Sequence, residues 1–327
     1  MISRWVLLVG GILVLLIGLG WLMRVAASWR PVAMGRVGTP TDGNSILLAS
    51  NKRVLLTERF ITSPSLVAFD TRSGKVQPRR FAEERIAGLA GESVWSLYWD
   101  KSQHRGYVET DVPKRRFSFD LAEFSPYERT PALFRVFPRE NQVLFLFKGR
   151  VYRWNLQTTR LERSIRLGDE VSSWPIALSR DGHTFVRCDL ETFFVGDTNT
   201  GKITKRVAFQ GFRFFESIHL SPYGKYALFE RPSSPSQMRV VDVATGKSLW
   251  VFDNSHNDVN DWAICDDEQT IFVRINKGNT WEVRDLKTGT LQSRLPVVPG
   301  ASMVAAAPDG EALYSVARGI LYRQRGR

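Results

Sequence analysis

The feature that most restricts the fold of this chain is a phrase that returns about every 43 residues. Its clearest copy is VVDVATGKSLW, in which two apolar residues precede an aspartate, a glycine turn and a second apolar stretch. Alignment on the polar residue before the turn gives six copies, spaced by 41, 44, 42, 45 and 43 residues. They place Asp70, Asp111, Asn155, Asp197, Asp242 and Asp285. The tail GILYRQRGR adds a seventh unit at Gln324, and such repetition predicts stacked equivalent units.

A second phrase recurs upstream of the first, as an apolar stretch, a polar or glycine turn and another apolar stretch. Its copies are IALSRDGHTFVRC, IHLSPYGKYALFE, AICDDEQTIFVRI and VAAAPDGEALYSV. The turns at Asp181-Gly182, Tyr223-Gly224 and Asp309-Gly310 are typical of β-hairpins that need a positive φ angle. Each unit therefore reads as four short antiparallel strands. One such unit cannot bury both of its faces, so the repeat predicts an all-β, seven-bladed β-propeller of four-stranded blades over residues 45–327.

These phrases also resemble a known repeat family. SPYGKYALF and PDGEALYSV resemble the inner-strand phrase of WD40-like and YVTN-type propellers, and the stretch from Ser255 looks like a degenerate WD40 start that contains His256. VVDVATGKSLW resembles the repeat of quinoprotein-like propellers, a likeness that implies Trp250 docks between two blades.

The last unit ends after its third strand, which would leave an open sheet edge. Because exposed edges invite aggregation, we expect another segment to cover this one. Residues 32–38, VAMGRVG, lie in a predicted linker over residues 31–44 and are the candidate for the missing outer strand.

The N-terminus contains a long apolar run. Residues 5–23 carry no charge over 19 positions, enough for a helix of about 28 Å, with Trp5 and Trp21 near its ends. This predicts one transmembrane helix within residues 1–30, preceding the propeller, and a single-pass membrane protein; a cleaved signal peptide is the alternative. The basic flanks lean slightly toward a cytoplasmic propeller, with three arginines after the run at Arg24, Arg30 and Arg36. A short basic start before an apolar run is typical of exported segments, and it favours a propeller on the extracytoplasmic side.

Composition narrows the function only slightly. The formal net charge of +12 favours an anionic partner, but the basic residues form no long run, so nucleic acid is not expected. The only cysteines, Cys188 and Cys265, cannot form a disulfide scaffold and are expected to be buried.

No familiar catalytic motif is present: the sequence contains no P-loop, HExxH or GxSxG pattern. The four histidines fall in different units, where structural or exposed roles are expected: His104, His183, His219 and His256. A group of acidic residues matches no calcium loop and is expected to serve only in turns around one strand: Asp258, Asp261, Asp266, Asp267 and Glu268. We therefore expect no catalytic residue, no metal and no cofactor.

Basic residues concentrate on the predicted outermost strands of the first four units. The candidate contacts to an anionic partner or lipid are Arg79, Arg80, Lys114, Arg115 and Arg116. Units three and four carry further ones at Arg163, Arg166, Lys202, Lys205 and Arg206. The alternative is that these charges only prevent edge-to-edge pairing of sheets.

The resulting hypothesis is a membrane-tethered, monomeric propeller that acts as a non-catalytic scaffold for protein partners. The alternative is an envelope-located propeller enzyme or a quinoprotein-like cofactor-binding protein. A sensor or assembly factor of the cell envelope is a third possibility.

Overall fold

The computed structural model describes most of the repeat region and one segment before it. The described residues are 31–36, 45–49, 53–58, 65–80, 85–90, 93–100, 102–103, 105–111, 113–120, 133–147, 149–167, 176–188, 192–208, 217–231, 236–254, 259–275 and 280–325. The predicted span at 5–23 lies outside these residues.

The described strands form seven four-stranded antiparallel sheets, numbered here in chain order. Sheet 1 contains β2 (Ser45–Ala49), β3 (Arg53–Glu58), β4 (Ser65–Asp70) and β5 (Val76–Arg80). Sheet 2 contains β6 (Arg85–Ala90), β7 (Ser93–Asp100), β8 (Arg105–Asp111) and β9 (Lys114–Asp120). Sheet 3 contains β10 (Leu133–Phe137), β11 (Gln142–Phe147), β12 (Arg150–Asn155) and β13 (Arg160–Arg166), with a 3-10 helix at Pro138–Glu140.

The remaining sheets follow the same plan. Sheet 4 contains β14 (Ile176–Leu178), β15 (Thr184–Cys188), β16 (Thr192–Asp197) and β17 (Ile203–Ala208). Sheet 5 contains β18 (Ser217–Leu220), β19 (Tyr226–Arg231), β20 (Ser236–Asp242) and β21 (Ser248–Asn254). Sheet 6 contains β22 (Val259–Ile264), β23 (Thr270–Ile275), β24 (Thr280–Asp285) and β25 (Leu291–Pro296). Sheet 7 contains β26 (Ala301–Ala306), β27 (Ala312–Ala317), β28 (Ile320–Arg325) and β1 (Val32–Arg36).

The sheets close into a ring. The first strands of sheets 1 and 2, 2 and 3, 4 and 5, 6 and 7, and 7 and 1 contact each other, and β20 contacts β22 between sheets 5 and 6. Sheets 3 and 4 share an apolar cluster that includes Leu144, Ile165 and Phe185. Each sheet therefore buries both faces against its neighbours, as the repeat requires, and the predicted β-propeller is confirmed.

Sheet 7 is composite, whereas the other six consist of four consecutive strands each. Its outer strand β1 pairs antiparallel with β28, from Val32 opposite Arg323 to Arg36 opposite Ile320. The segment before the first repeat thus supplies the outer strand that the last repeat lacks, so the two ends of the described chain are hydrogen-bonded together.

The conserved spacing of the phrase DxxTG within this chain reflects the turn between the third and fourth strands. In sheet 5, Asp242 Oδ1 accepts hydrogen bonds from the backbone nitrogen and hydroxyl of Thr245 at 2.6 and 2.8 Å. Gly246 follows with a φ angle of +72°, which a residue with a side chain rarely adopts. Asp197 and Asp285 make the same bonds in sheets 4 and 6.

The same glycines lie against the preceding sheet. A Cβ atom on Gly246 would approach Val207 Cγ1 to 2.8 Å, and one on Gly289 would approach Trp250 Cδ2 to 2.7 Å. Trp250 also donates its Nε1 hydrogen bond to the Leu286 carbonyl oxygen at 2.9 Å. Trp250 therefore docks between sheets 5 and 6, as the resemblance to quinoprotein-like repeats implied.

The predicted fold class and localisation need a correction. Among the described residues the only helix is the three-residue 3-10 turn in sheet 3, and none has the length and apolar composition that crossing a bilayer requires. The part of the chain that the structure describes folds into strands, whose backbone groups pair between neighbours. The predictions of a transmembrane helix and of a single-pass membrane protein therefore have no support in the described residues.

Candidate functional site

Hairpins between the first and second strands of sheets 4 to 7 meet in one surface, which we call the hairpin face. Their turns occupy residues 179–182, 221–224, 265–268 and 307–310. Neighbouring turns are joined through their backbones: Arg180 donates to the Pro222 carbonyl oxygen at 2.7 Å, and Asp266 donates to that of Pro308 at 2.9 Å. The hairpin face is consequently a continuous, backbone-braced surface.

The most exposed aromatic side chain on this face is Tyr223, at the tip of the sheet 5 hairpin. It is 64% exposed, although tyrosine is usually at least partly buried. Its backbone is fixed, because its N–H donates to Glu268 Oε1 at 2.7 Å and Gly224 donates to the Ser221 carbonyl oxygen at 2.9 Å. A large amphipathic ring is thus presented to solvent on a rigid support.

Glu268 holds this hairpin at a conformational cost. Glu268 occupies the turn position that glycine fills in the other three hairpins. Its φ angle is +53°, compared with +72° to +73° for Gly182, Gly224 and Gly310. A non-glycine residue in this region costs about 1–2 kcal/mol. The Glu268 side chain is nevertheless buried and accepts the bond from Tyr223. Backbone strain of this kind clusters at functional sites, which makes the Tyr223 hairpin the leading candidate.

An ion pair links the hairpins of sheets 4 and 6. The Arg180 guanidinium in sheet 4 reaches past the sheet 5 hairpin to the carboxylate of Asp266 in sheet 6. Burial raises the pKa of Asp266, and the negative charges of Asp267 and Asp309 add to this effect while Arg180 opposes it. Because the Arg180 side chain is 53% exposed, this guanidinium is accessible on the hairpin face.

A second polar cluster joins the inner strands of sheets 5 and 6. Glu230 accepts hydrogen bonds from Ser217 Oγ at 2.6 Å and from Trp262 Nε1, and it lies 3.3 Å from His219 Nε2. Burial raises the pKa of Glu230, but the bonds from His219 and Ser217 outweigh it and leave the pKa below its usual value. The hydroxyl of Ser217 is bonded to the carboxylate rather than to His219, so these residues do not form a serine–histidine nucleophile; they brace the two sheets.

The structure spreads the predicted anionic contacts over two outer strands. Arg79 and Arg80 lie on β5, where only their backbones are described, and Lys114 and Arg115 are exposed on β9. Arg116 is engaged within its own sheet: its Nε lies 3.4 Å from Glu109 Oε1, and its guanidinium lies 4.1 Å from the Tyr107 ring centroid. The five residues therefore do not converge on one pocket.

The other residues singled out in the sequence are dispersed. His183 is exposed, while His104, His256 and Asp258 lie outside the described residues. Cys188 and Cys265 are buried thiols in sheets 4 and 6. Within the described ranges, no three histidine, cysteine, aspartate or glutamate residues are grouped so that they could hold a metal ion.

Sequence reasoning missed the pairing of Tyr223 with Glu268. The signal was available in the aligned hairpins, where a glutamate replaces the glycine that the turn prefers. The acidic group around it was instead interpreted as turn residues with no further role.

Comparisons with known proteins show the fold and no family. No family model and no curated protein sequence matches the chain. A chain of Kuenenia stuttgartiensis hydrazine synthase is 14% identical, with a TM-score of 0.61 over 88% of this chain and 97% of that chain. A chain in the crystal structure of the mitotic checkpoint complex is 11% identical, with a TM-score of 0.62 over 90% of each chain. At these identities the likeness shows the β-propeller fold alone.

Proposed function

We propose that this protein is a non-catalytic interaction scaffold that binds a protein partner at the hairpin face. The observation that carries the proposal is the exposed Tyr223 ring on a hairpin that the strained Glu268 holds in place. Glu268 holds the backbone of Tyr223, so that an exposed aromatic ring is presented on a fixed hairpin. This arrangement has an advantage for binding, because a pre-ordered surface loses less entropy on association.

The residue types around Tyr223 support the same function. Tyrosine and arginine are enriched among the residues that dominate the binding energy of protein interfaces, and such residues cluster near the centre of a contact. Tyr223 and Arg180 both lie on this face, where the Arg180 backbone bonds to Pro222, and both side chains are more than half exposed. The likeness of the fold to a chain in the mitotic checkpoint complex, a protein assembly, is compatible with this role.

Site-specific crosslinking tests the proposal. A photo-crosslinking phenylalanine analogue replaces Tyr223 in one variant and the exposed Val251 on outer strand β21 in the control. We expect the first variant to capture a defined protein in its native cells and the second variant not to capture it. The proposal is wrong if both positions give the same products or if neither position gives one.

The captured protein then allows a binding measurement. Because a single interface tyrosine is worth 1 kcal/mol or more when it is a hot spot, Tyr223→Ala should weaken binding about fivefold or more. Leu291→Ala removes another exposed apolar side chain, on β25, and should leave the affinity unchanged. Equal affinities of the wild type and Tyr223→Ala would place the contact elsewhere.

The variant Glu268→Gly tests whether the support of the hairpin matters for binding separately from the stability of the fold. Glycine relieves the positive φ angle but removes the acceptor for the Tyr223 N–H, so the free energy of unfolding should change by less than about 1 kcal/mol. Partner affinity should nevertheless fall, because the hairpin loses its brace. Unchanged affinity in this variant would show that Glu268 does not position Tyr223 for binding.

A further inference from the structure

The outer strands of the ring carry an uneven distribution of charge. The strands β5, β9, β13 and β17 of sheets 1 to 4 contain two, three, three and two lysine or arginine residues. The outer strands β21, β25 and β1 of sheets 5 to 7 contain none, one and one. If these charges served only to keep sheet edges apart, all seven edges would need them equally.

Some of these basic residues have structural roles. Arg163 Nη1 donates to the Asn199 carbonyl oxygen of the next sheet at 2.8 Å, and Lys205 Nζ donates to the Ala244 carbonyl oxygen. These two residues link neighbouring sheets at their turns.

We define the basic rim as six other basic side chains that face solvent on or beside β9, β13 and β17: Lys114, Arg115, Arg160, Arg166, Arg206, and Lys202, which directly precedes β17. Within the described residues, no ion pair joins a member of the basic rim to a carboxylate. The Arg206 guanidinium is held 5.7 Å from the Phe194 ring centroid, which restricts its orientation. A positive surface on sheets 2 to 4 is therefore available to an anionic partner.

The same edges also offer backbone groups. The strands β9, β13 and β17 each lie at the end of their sheet order, with one neighbour, so their outer N–H and C=O groups do not pair with another strand of the described sheets. On β17 the exposed residues alternate with half-buried ones, so that Thr204 and Arg206 point outward together. A strand added at this edge could form hydrogen bonds with the unpaired backbone groups. Its side chains alternate every two residues, as those of β17 do, so the outward side chains of the two strands would lie side by side.

We propose that the basic rim binds an acidic, extended segment of another protein by adding it as a strand to β13 or β17. Opposite charges on directly paired strands stabilise the pairing, whereas like charges oppose it. The rim therefore disfavours pairing with the basic edges of sheets 1 to 4 in a second copy of this chain, and it selects an acidic strand. Single-stranded nucleic acid is disfavoured because it needs exposed aromatic rings for base stacking. The exposed members of the rim contain no such ring.

The binding test uses defined peptides. The probe is a fluorescent eight-residue peptide of alternating glutamate and valine, and its control replaces glutamate with glutamine. We expect the acidic peptide to bind the full chain about tenfold more tightly than the control at low salt. A version methylated on the backbone nitrogens that would face the edge should also bind about tenfold more weakly, because it cannot donate to a sheet edge.

Matched charge reversals locate the site. The variant Arg160→Glu/Arg166→Glu/Arg206→Glu should lose about tenfold or more in affinity for the acidic peptide. The control Lys247→Glu/Lys287→Glu/Arg325→Glu changes the net charge equally at exposed positions on sheets 5 to 7 and should bind within about twofold of the wild type.

Three outcomes would overturn the proposal. Equal losses in both triple variants would mean that only the net charge matters. Full binding of the methylated peptide would exclude strand addition. Tighter binding of a thymidine oligonucleotide or of phosphatidylserine vesicles, with the same dependence on the rim variant, would assign the surface to another class of partner. Tyr223→Ala should leave peptide binding unchanged, so this test and the test of the hairpin face fail independently.

Discussion

Gly246 provides the sharpest test of why the repeat ends in a glycine turn. Its φ angle is +72°, and a Cβ atom there would lie 2.8 Å from Val207 Cγ1 and nearer still to Cγ2. Gly74 occupies the same turn in sheet 1, with a φ angle of +68° and no atom of the described residues within 4 Å of its Cβ position. The two glycines share the backbone requirement and differ in the contact with the preceding sheet.

The expected costs follow from this difference. Alanine in the left-handed region costs about 1–2 kcal/mol, which is the full expectation for Gly74→Ala. Overpacking a filled contact adds about 1–3 kcal/mol, so Gly246→Ala should lower the free energy of unfolding by about 2–5 kcal/mol. Adding Val207→Ala makes room for the methyl group, and the double variant should recover about 1–3 kcal/mol relative to additivity.

The assay is equilibrium urea unfolding followed by tryptophan fluorescence. The slope of the unfolding free energy against urea concentration is compared among the variants, because an unchanged slope excludes a change in the surface exposed on unfolding. Equal destabilisation by Gly74→Ala and Gly246→Ala would refute the reasoning. So would additive effects of Gly246→Ala and Val207→Ala, because the glycine would then be required by the turn alone.

Three further perturbations test the contacts between sheets. Trp250→Phe removes the bond to the Leu286 carbonyl and should lower the free energy of unfolding by about 1 kcal/mol in the same urea assay. The pKa of Glu230 in the folded state is below its usual value, so its contribution to stability is present above the unfolded-state pKa and is lost as pH falls through the folded-state pKa. Glu230→Gln should therefore flatten the decline in melting temperature between about pH 5 and pH 3. An unchanged slope would contradict this. Arg180→Ala should raise the pKa of Asp266 further, and because a raised carboxyl pKa favours folding at low pH, the loss in melting temperature should be larger at pH 7 than at pH 4.

Much of the fold could be predicted because the determining interactions are local and repeated. The aspartate and glycine of the turn in sheet 5, Asp242 and Gly246, act within five residues of each other, so the sequence pattern contains the whole motif. The pairing of β1 with β28 was also predictable, since a ring with one missing outer strand needs a donor and the chain offers one beside the first repeat. An apolar run of 19 residues, by contrast, indicates only the capacity to form a membrane helix, and the described residues contain none.

The candidate site was harder to predict because it depends on contacts between repeats. Tyr223 is fixed by Glu268, 45 residues further along the chain, and Arg180 pairs with Asp266 across two repeats. An alignment of repeats compares equivalent positions and treats departures as loss of the pattern. Here a departure, the glutamate at the glycine position, forms the contact that singles out one hairpin. In a ring of equivalent sheets, binding to a single partner requires that equivalence to be broken, so the residues that violate the repeat are the first candidates for the interface.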